Sequence, residues 1–113
     1  MTNIKVTKNQ GNIIKIECNG HSGYAEAGAD IVCSAISSIM CSCHLGLVQV
    51  LGLKVQVETK QKQGFMKIEL KKPDYANQNA QILLKTAELS LIEIAEDYSK
   101  FARIQQEVSN EVY

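Results

Sequence analysis

The chain has 113 residues, 45% apolar and 21% charged, with a formal net charge of zero and a pI near 6.7. That length suits one domain over residues 1–113 with a core of its own. Neutrality argues against a general nucleic-acid binder, which leans on a basic face, and two Phe, four Tyr and no Trp offer little for stacking single strands.

The first residues, MTNIKVTKNQ, contain no apolar signal core. Four cysteines without such a signal point to reduced thiols in a cytoplasmic protein, not to a disulfide framework. Residues 3–8 place Ile4 and Val6 on one face, the period-two mark of a half-buried strand. Asn9-Gln10-Gly11-Asn12 is a turn, and residues 13–19 resume with Ile14, Ile16 and Cys18 inward, so the pair predicts an antiparallel hairpin. It delivers Gly20 and His21 just past the sheet.

Ser22 to Ala29 is small and glycine-rich, which predicts a mobile loop. Asp30 stands at an N-cap position, and a helix should run from about Ile31 to about Val50 with Ile36, Ile39, Met40, Cys43, Leu47 and Val50 as its core stripe. From Ile31 to Leu53 the only ionisable side chains other than cysteine belong to His44. The run is long enough for a bilayer, but its serines and the lack of a following basic cluster favour a buried helix and no membrane. Gly52 ends it. Residues 53–58 and 66–70 alternate as a second hairpin around the tip 60–64, and Pro73 breaks the chain. An amphipathic helix is predicted from roughly Asn77 to Arg103, with a fraying polar tail. The order ββαββα predicts an α+β domain: one antiparallel sheet with a central apolar helix and a second amphipathic helix packed on it.

Cys33 is the strongest candidate for chemistry. With Asp30 as cap it falls at the third helical position, where unpaired N–H groups and the positive end of the dipole favour a thiolate. His21 could reach it as general base and acid, and helix-end N–H groups could hold an oxyanion. Ser37, one turn on, shares the face of Cys33. Asp30 is expected to cap rather than to orient the histidine. Cys41-Ser42-Cys43-His44 lacks a second ligand pair, and residues 41 and 43 point roughly 200° apart on a helix, so no metal is expected. Cys41 and Cys43 are read as core or interface packing, His44 as helix surface or interface, and Cys18 as core. Tyr24 and Glu26 in the loop are candidates for substrate contact. No cofactor is expected.

Gly20-His21, Gly23-Tyr24, Gly28, Asp30-Ile31-Val32-Cys33 and Ser37 together resemble the motif of the ribosomal-processing cysteine protease family, Prp. The resemblance spans essentially the whole chain. It implies a cysteine endopeptidase that removes an N-terminal extension from a bacterial large-subunit ribosomal protein, the twenty-seventh in the standard series. It further implies catalytic residues Cys33 and His21, supporting positions Gly20, Asp30 and Ser37, a flexible substrate loop containing Ser22, Gly23, Tyr24, Glu26 and Gly28, and a homodimer. Two rivals predict different behaviour: a non-catalytic ribosome-associated binding module has no special thiol, and a peroxide-type thiol enzyme wants a resolving cysteine, for which Cys41 and Cys43 lie too far along a rigid helix.

Overall fold

The N-terminal hairpin forms as its alternation predicts. In the computed structural model, which describes residues 1–26 and 30–109, β1 (Thr2–Asn9) and β2 (Asn12–Asn19) pair antiparallel with Ile4 opposite Cys18 and Val6 opposite Ile16. Gln10 and Gly11 both take positive φ, 51° and 82°, the backbone twist that suits a two-residue hairpin turn. A bulge between Thr7 and Lys8 shifts the register, and next to it both Ile13 and Ile14 are buried.

Helix α1 (Ile31–Leu45) starts at Asp30 and continues into one π-helical turn, Gly46–Val50. Val32, Ile36, Met40, Cys43 and Leu47 are its buried stripe. Residues Ile31–Val50 are by length and composition apolar enough to cross a membrane, yet this stripe is part of the sheet-packed core. The second hairpin comprises β3 (Gln56–Lys60) and β4 (Phe65–Glu69), joined by a 3₁₀ turn at Gln61–Gln63. Its strands lie slightly later than the alternation suggested for the first of them, because Leu51–Val55 is an irregular connection.

Helix α2 (Gln78–Asp97) is capped by Asn77, whose side chain accepts from the Ala80 N–H at 2.9 Å. It stops six residues before the expected Arg103. Tyr98 leaves helical geometry, the Phe101 and Ala102 N–H groups both fold back to the Tyr98 carbonyl, and the chain then enters β5 (Ala102–Val108). Residues 105–108 of the tail expected to fray belong to this strand, which runs parallel to β1 with Ile4 opposite Ile104, so the sheet is mixed and not wholly antiparallel. The expected α+β order ββαββα therefore holds with one strand added, and the sheet order is β3-β4-β2-β1-β5. Residue Gly28 and its neighbours at 27 and 29 lie outside the described residues.

The sheet sends Ile4, Val6, Ile16, Cys18 and Ile68 into the shared core with both helices. Each fully buried isoleucine contributes about 1.5–3 kcal/mol relative to exposure. The other face carries charge: Lys5 lies 3.6 Å from Glu17 and 3.5 Å from Glu107, and Lys67 lies 3.5 Å from Glu58. Such exposed pairs add little stability, but they keep that face wet and leave the apolar side to the helices.

Candidate active site

The end of β2 delivers Gly20 into a space that only glycine fits. Its φ is +95°, and a Cβ there would lie 2.6 Å from the Met1 carbonyl oxygen. Main-chain contacts then fasten it: the Thr2 hydroxyl donates to the Gly20 carbonyl at 2.9 Å, and the Gly20 N–H donates to the Gly64 carbonyl at 3.0 Å. His21, next in line, is exposed, with its Nε2 3.0 Å from the Lys62 carbonyl oxygen on the β3–β4 turn. The ring's hydrogen bond goes to that carbonyl, not to the Cys33 sulfur.

Ser22 was expected in a moving loop, and it is instead an anchor. It is 2% exposed, and its hydroxyl donates to Asp30 Oδ2. Its main-chain N–H donates to Cys33 Sγ at 3.3 Å, and its Oγ also accepts from the Tyr24 N–H. Gly23, at φ +76°, and Glu26 are exposed. Tyr24 remains partly exposed, but its ring packs edge-on against Phe101 and Tyr98, with centroids 5.1 Å and 5.8 Å away. The first half of the loop is thus tied to α1 at one point and to the turn after α2 at another.

Asp30 caps α1 as expected. Its Oδ1 accepts from the Val32 and Cys33 N–H groups, each at 3.0 Å. Burial alone would raise the Asp30 carboxyl, but the Ser22 hydroxyl, the Cys33 N–H and thiol and the Ala25 N–H outweigh it and bring it from 3.8 down to about 2. The carboxylate is therefore committed to the cap and to Ser22. The same bonds correct one expectation. The first-turn N–H groups of Val32 and Cys33 are already taken, and the Ser34 N–H bonds the Asp30 carbonyl at 3.1 Å, so these three are not free to meet an oxyanion.

Cys33 is half-buried and opens onto a cleft of about 370 Å³. One wall is α1, from Cys33 through Ile36, Ser37 and Met40 to Cys41. The opposite wall is the second hairpin, with Thr59, Gln61, Gly64, Phe65 and Met66, while β2 supplies Cys18 and the residues just past its end supply Gly20 and His21. Ser37 shares the cleft with Cys33, as their one-turn spacing predicted. Cys41 is exposed and also lines the cleft, not the core, because residues 33, 37 and 41 stay on one side of a helix. Cys43 is buried among core residues and His44 is half-buried. The four thiols differ sharply in environment. Burial first, and the nearby Glu17 charge second, push Cys18 up to about 12, and burial pushes Cys43 up to about 11.

The family model for the cysteine protease Prp matches residues 1–103. The chain belongs to this family. Membership makes it a cysteine protease and excludes the reading of a purely non-catalytic binding module. The chain is 26% identical over 95 residues to the ribosomal processing cysteine protease Prp of Bacillus subtilis strain 168, covering 81% of this chain and 84% of that one. It is also 26% identical over 105 residues to the protein of the same name from Staphylococcus aureus strain Mu50, covering 92% and 97%. The crystal structure of the S. aureus protease in complex with a covalently linked product peptide superposes with a TM-score of 0.88 at 25% identity, covering 95% of this chain and all of that one. That likeness extends over both helices and most of the sheet.

Sequence reasoning also passed over the second hairpin as part of the site. Lys60-Gln61-Lys62-Gln63-Gly64 reads as a solvated tip, yet its backbone holds Gly20 and His21. The one available signal was Gly64, whose left-handed conformation closes the turn.

Proposed function

We propose that the chain is the endopeptidase that trims the N-terminal extension of a large-subunit ribosomal protein, the twenty-seventh in the standard series, with Cys33 as nucleophile and His21 as general base and acid. The observation that carries this reading is the junction at the head of α1. Cys33 opens onto the cleft that His21 also lines, and the residue after His21 donates its main-chain N–H to the Cys33 sulfur. The names of the relatives, as ribosomal processing proteases, support the substrate class.

In this mechanism the Cys33 S–H bond breaks, its proton passes to His21, and the sulfur attacks the scissile carbonyl carbon. With the first-turn donors engaged by Asp30, the Ser22 N–H, 3.3 Å from the attacking sulfur, is the donor assigned to the developing oxyanion. The His21 imidazolium returns its proton to the leaving amine as the C–N bond breaks. Water activated by His21 then cleaves the thioester and regenerates the thiol. Met40, Ile36, Phe65 and Met66 make the cleft apolar, so side chains beside the scissile bond should be apolar too. Tyr24 and Glu26 stand exposed at the loop for contact with the remaining peptide. Exposed Ile31 and Leu45 of α1 and Val50 of the turn after it fit a homodimer contact, and the reduced thiols fit a cytoplasmic enzyme with a protein, not a nucleic acid, as its partner.

The test is cleavage of a peptide spanning that ribosomal protein's N-terminus, with products mapped by mass. A single internal cut that disappears with Cys33→Ala is expected. No cut in the peptide or in the intact ribosomal protein would sink the substrate assignment.

A further inference from the structure

A cysteine–histidine pair works only if the imidazole presents an unprotonated nitrogen to the thiol, and something must decide which nitrogen that is. Among the described residues the His21 ring has one hydrogen-bond partner, the Lys62 main-chain carbonyl oxygen, 3.0 Å from Nε2. A carbonyl oxygen can only accept, so Nε2 must carry the hydrogen. A neutral ring protonated on Nε2 has its lone pair on Nδ1.

The carbonyl is held as firmly as the ring it meets. Lys62 sits in the 3₁₀ turn Gln61–Gln63, closed by Gly64 in left-handed geometry at φ +63°. The Gly64 carbonyl takes the Gly20 N–H, and a Cβ on Gly64 would crowd the Gly20 carbonyl carbon at 3.0 Å and the His21 nitrogen at 3.1 Å. On the other side of His21, Ser22 is pinned to Asp30 and to Cys33. With the main chain fixed before and after His21, the ring's rotation about its own side-chain bonds is the freedom that remains, and Lys62 removes it.

The geometry points to the Lys62 main-chain carbonyl as the positioning group of the active site: it fixes His21 in the Nε2–H tautomer so that Nδ1 receives the Cys33 proton. This rests on the reading of His21 as the base. During attack the proton moves from sulfur to Nδ1, and during collapse of the intermediate it moves from Nδ1 to the leaving amine. The Nε2–H bond to Lys62 persists throughout, so the positive charge formed on the ring faces a carbonyl dipole. The β3–β4 turn thereby becomes part of the catalytic apparatus through its main chain.

The experiment is nitrogen NMR of the full chain carrying ¹⁵N-labelled histidine rings, with His44→Gln used to assign His21, recorded where the ring is neutral. The expected spectrum has hydrogen on Nε2 and a lone pair on Nδ1. Hydrogen on Nδ1, or a rapidly averaging mixture of the two tautomers as in free imidazole, overturns the proposal. A second arm replaces the Lys62–Gln63 amide with an ester, which weakens that carbonyl as an acceptor. A fall in kcat of about fivefold with KM little changed is expected, the scale of one modest hydrogen bond; an unchanged kcat overturns the positioning role. The two readings fail separately. Cleavage retained by His21→Ala removes His21 as the base, whereas an inactive His21→Ala, together with the wrong tautomer in the chain that keeps His21, removes only the carbonyl's role.

Discussion

The two ends of β2 are held by hydrogen bonds of different character. At Ile13 the side chain of Gln81, 5% exposed, reaches across from α2 and satisfies one residue twice: its Oε1 accepts from the Ile13 N–H at 2.8 Å and its Nε2 donates to the Ile13 carbonyl at 2.8 Å and to the Tyr75 carbonyl at 3.1 Å. At the other end the Thr2 hydroxyl, the Gly64 carbonyl and the Lys62 carbonyl hold Gly20 and an exposed His21. Water reaches the exposed His21 ring at the second end but not the buried Gln81 amide at the first. One end of the strand therefore secures the fold, and the other aims a side chain at modest cost in stability.

The largest expected effect lies at the chemical end. Cys33→Ala should lower cleavage by at least about 10³-fold, measured as kcat/KM, while the urea midpoint stays close to wild type. Next comes the structural end. Gln81→Leu strands the Ile13 N–H and carbonyl in the core and should cost about 2–4 kcal/mol in urea unfolding, with kcat per folded molecule nearly unchanged. If Gln81→Leu instead removed activity without loss of stability, the division between the two ends would be wrong.

Asp30 joins both roles, since it caps α1 and holds Ser22 against Cys33. Asp30→Ala should cost about 1 kcal/mol of stability and also reduce kcat, read from parallel denaturation and rate measurements. Because folding lowers the Asp30 carboxyl from 3.8 to about 2, its stabilisation is present above pH 4 and is lost as pH falls toward 2. The acid limb of unfolding should therefore flatten in Asp30→Ala, and an unchanged limb would contradict the cap's ionised state. The smallest effect separates the thiols. In Cys33→Ala, iodoacetamide at neutral pH should label Cys41 in the cleft and leave Cys18 and Cys43 untouched until the chain unfolds, as read by peptide mass mapping.

Much of this arrangement was legible because it is carried by side chains in local patterns. Alternation marked Ile4-Val6 and Ile14-Ile16, and Asp30 three residues before Cys33 marked the cap. Three- and four-residue steps marked Ile36, Met40, Cys43 and Leu47 on the buried stripe of α1 but missed Val32 and wrongly included Val50, which is exposed past the end of α1. Strand β5 left no such trace. Ala102-Arg103-Ile104-Gln105-Gln106 is rich in helix formers, no glycine or proline stops α2, and its partner β1 lies about a hundred residues earlier. What holds it shows only in three dimensions: Gln106 donates to Glu88 on α2 at 2.9 Å, and Glu88 also pairs with Lys8 of β1 at 3.2 Å. The role of the 60–64 turn was hidden for another reason. It acts through carbonyl oxygens, which every residue possesses, so no residue type announces it. Ser22 was misjudged because small residues beside glycine suggest mobility, whereas here the small hydroxyl is what fits between Asp30 and Tyr24.

The central claim is that the Cys33 sulfur becomes covalently attached to the substrate's acyl portion. The most direct measurement is to quench a reaction with the ribosomal N-terminal peptide in acid and locate the acyl group by fragmentation mass spectrometry. A thioester on Cys33 carrying the N-terminal product is expected, and it should be absent from Cys33→Ala. An acyl group on Cys41, or full turnover in Cys33→Ala, would contradict it.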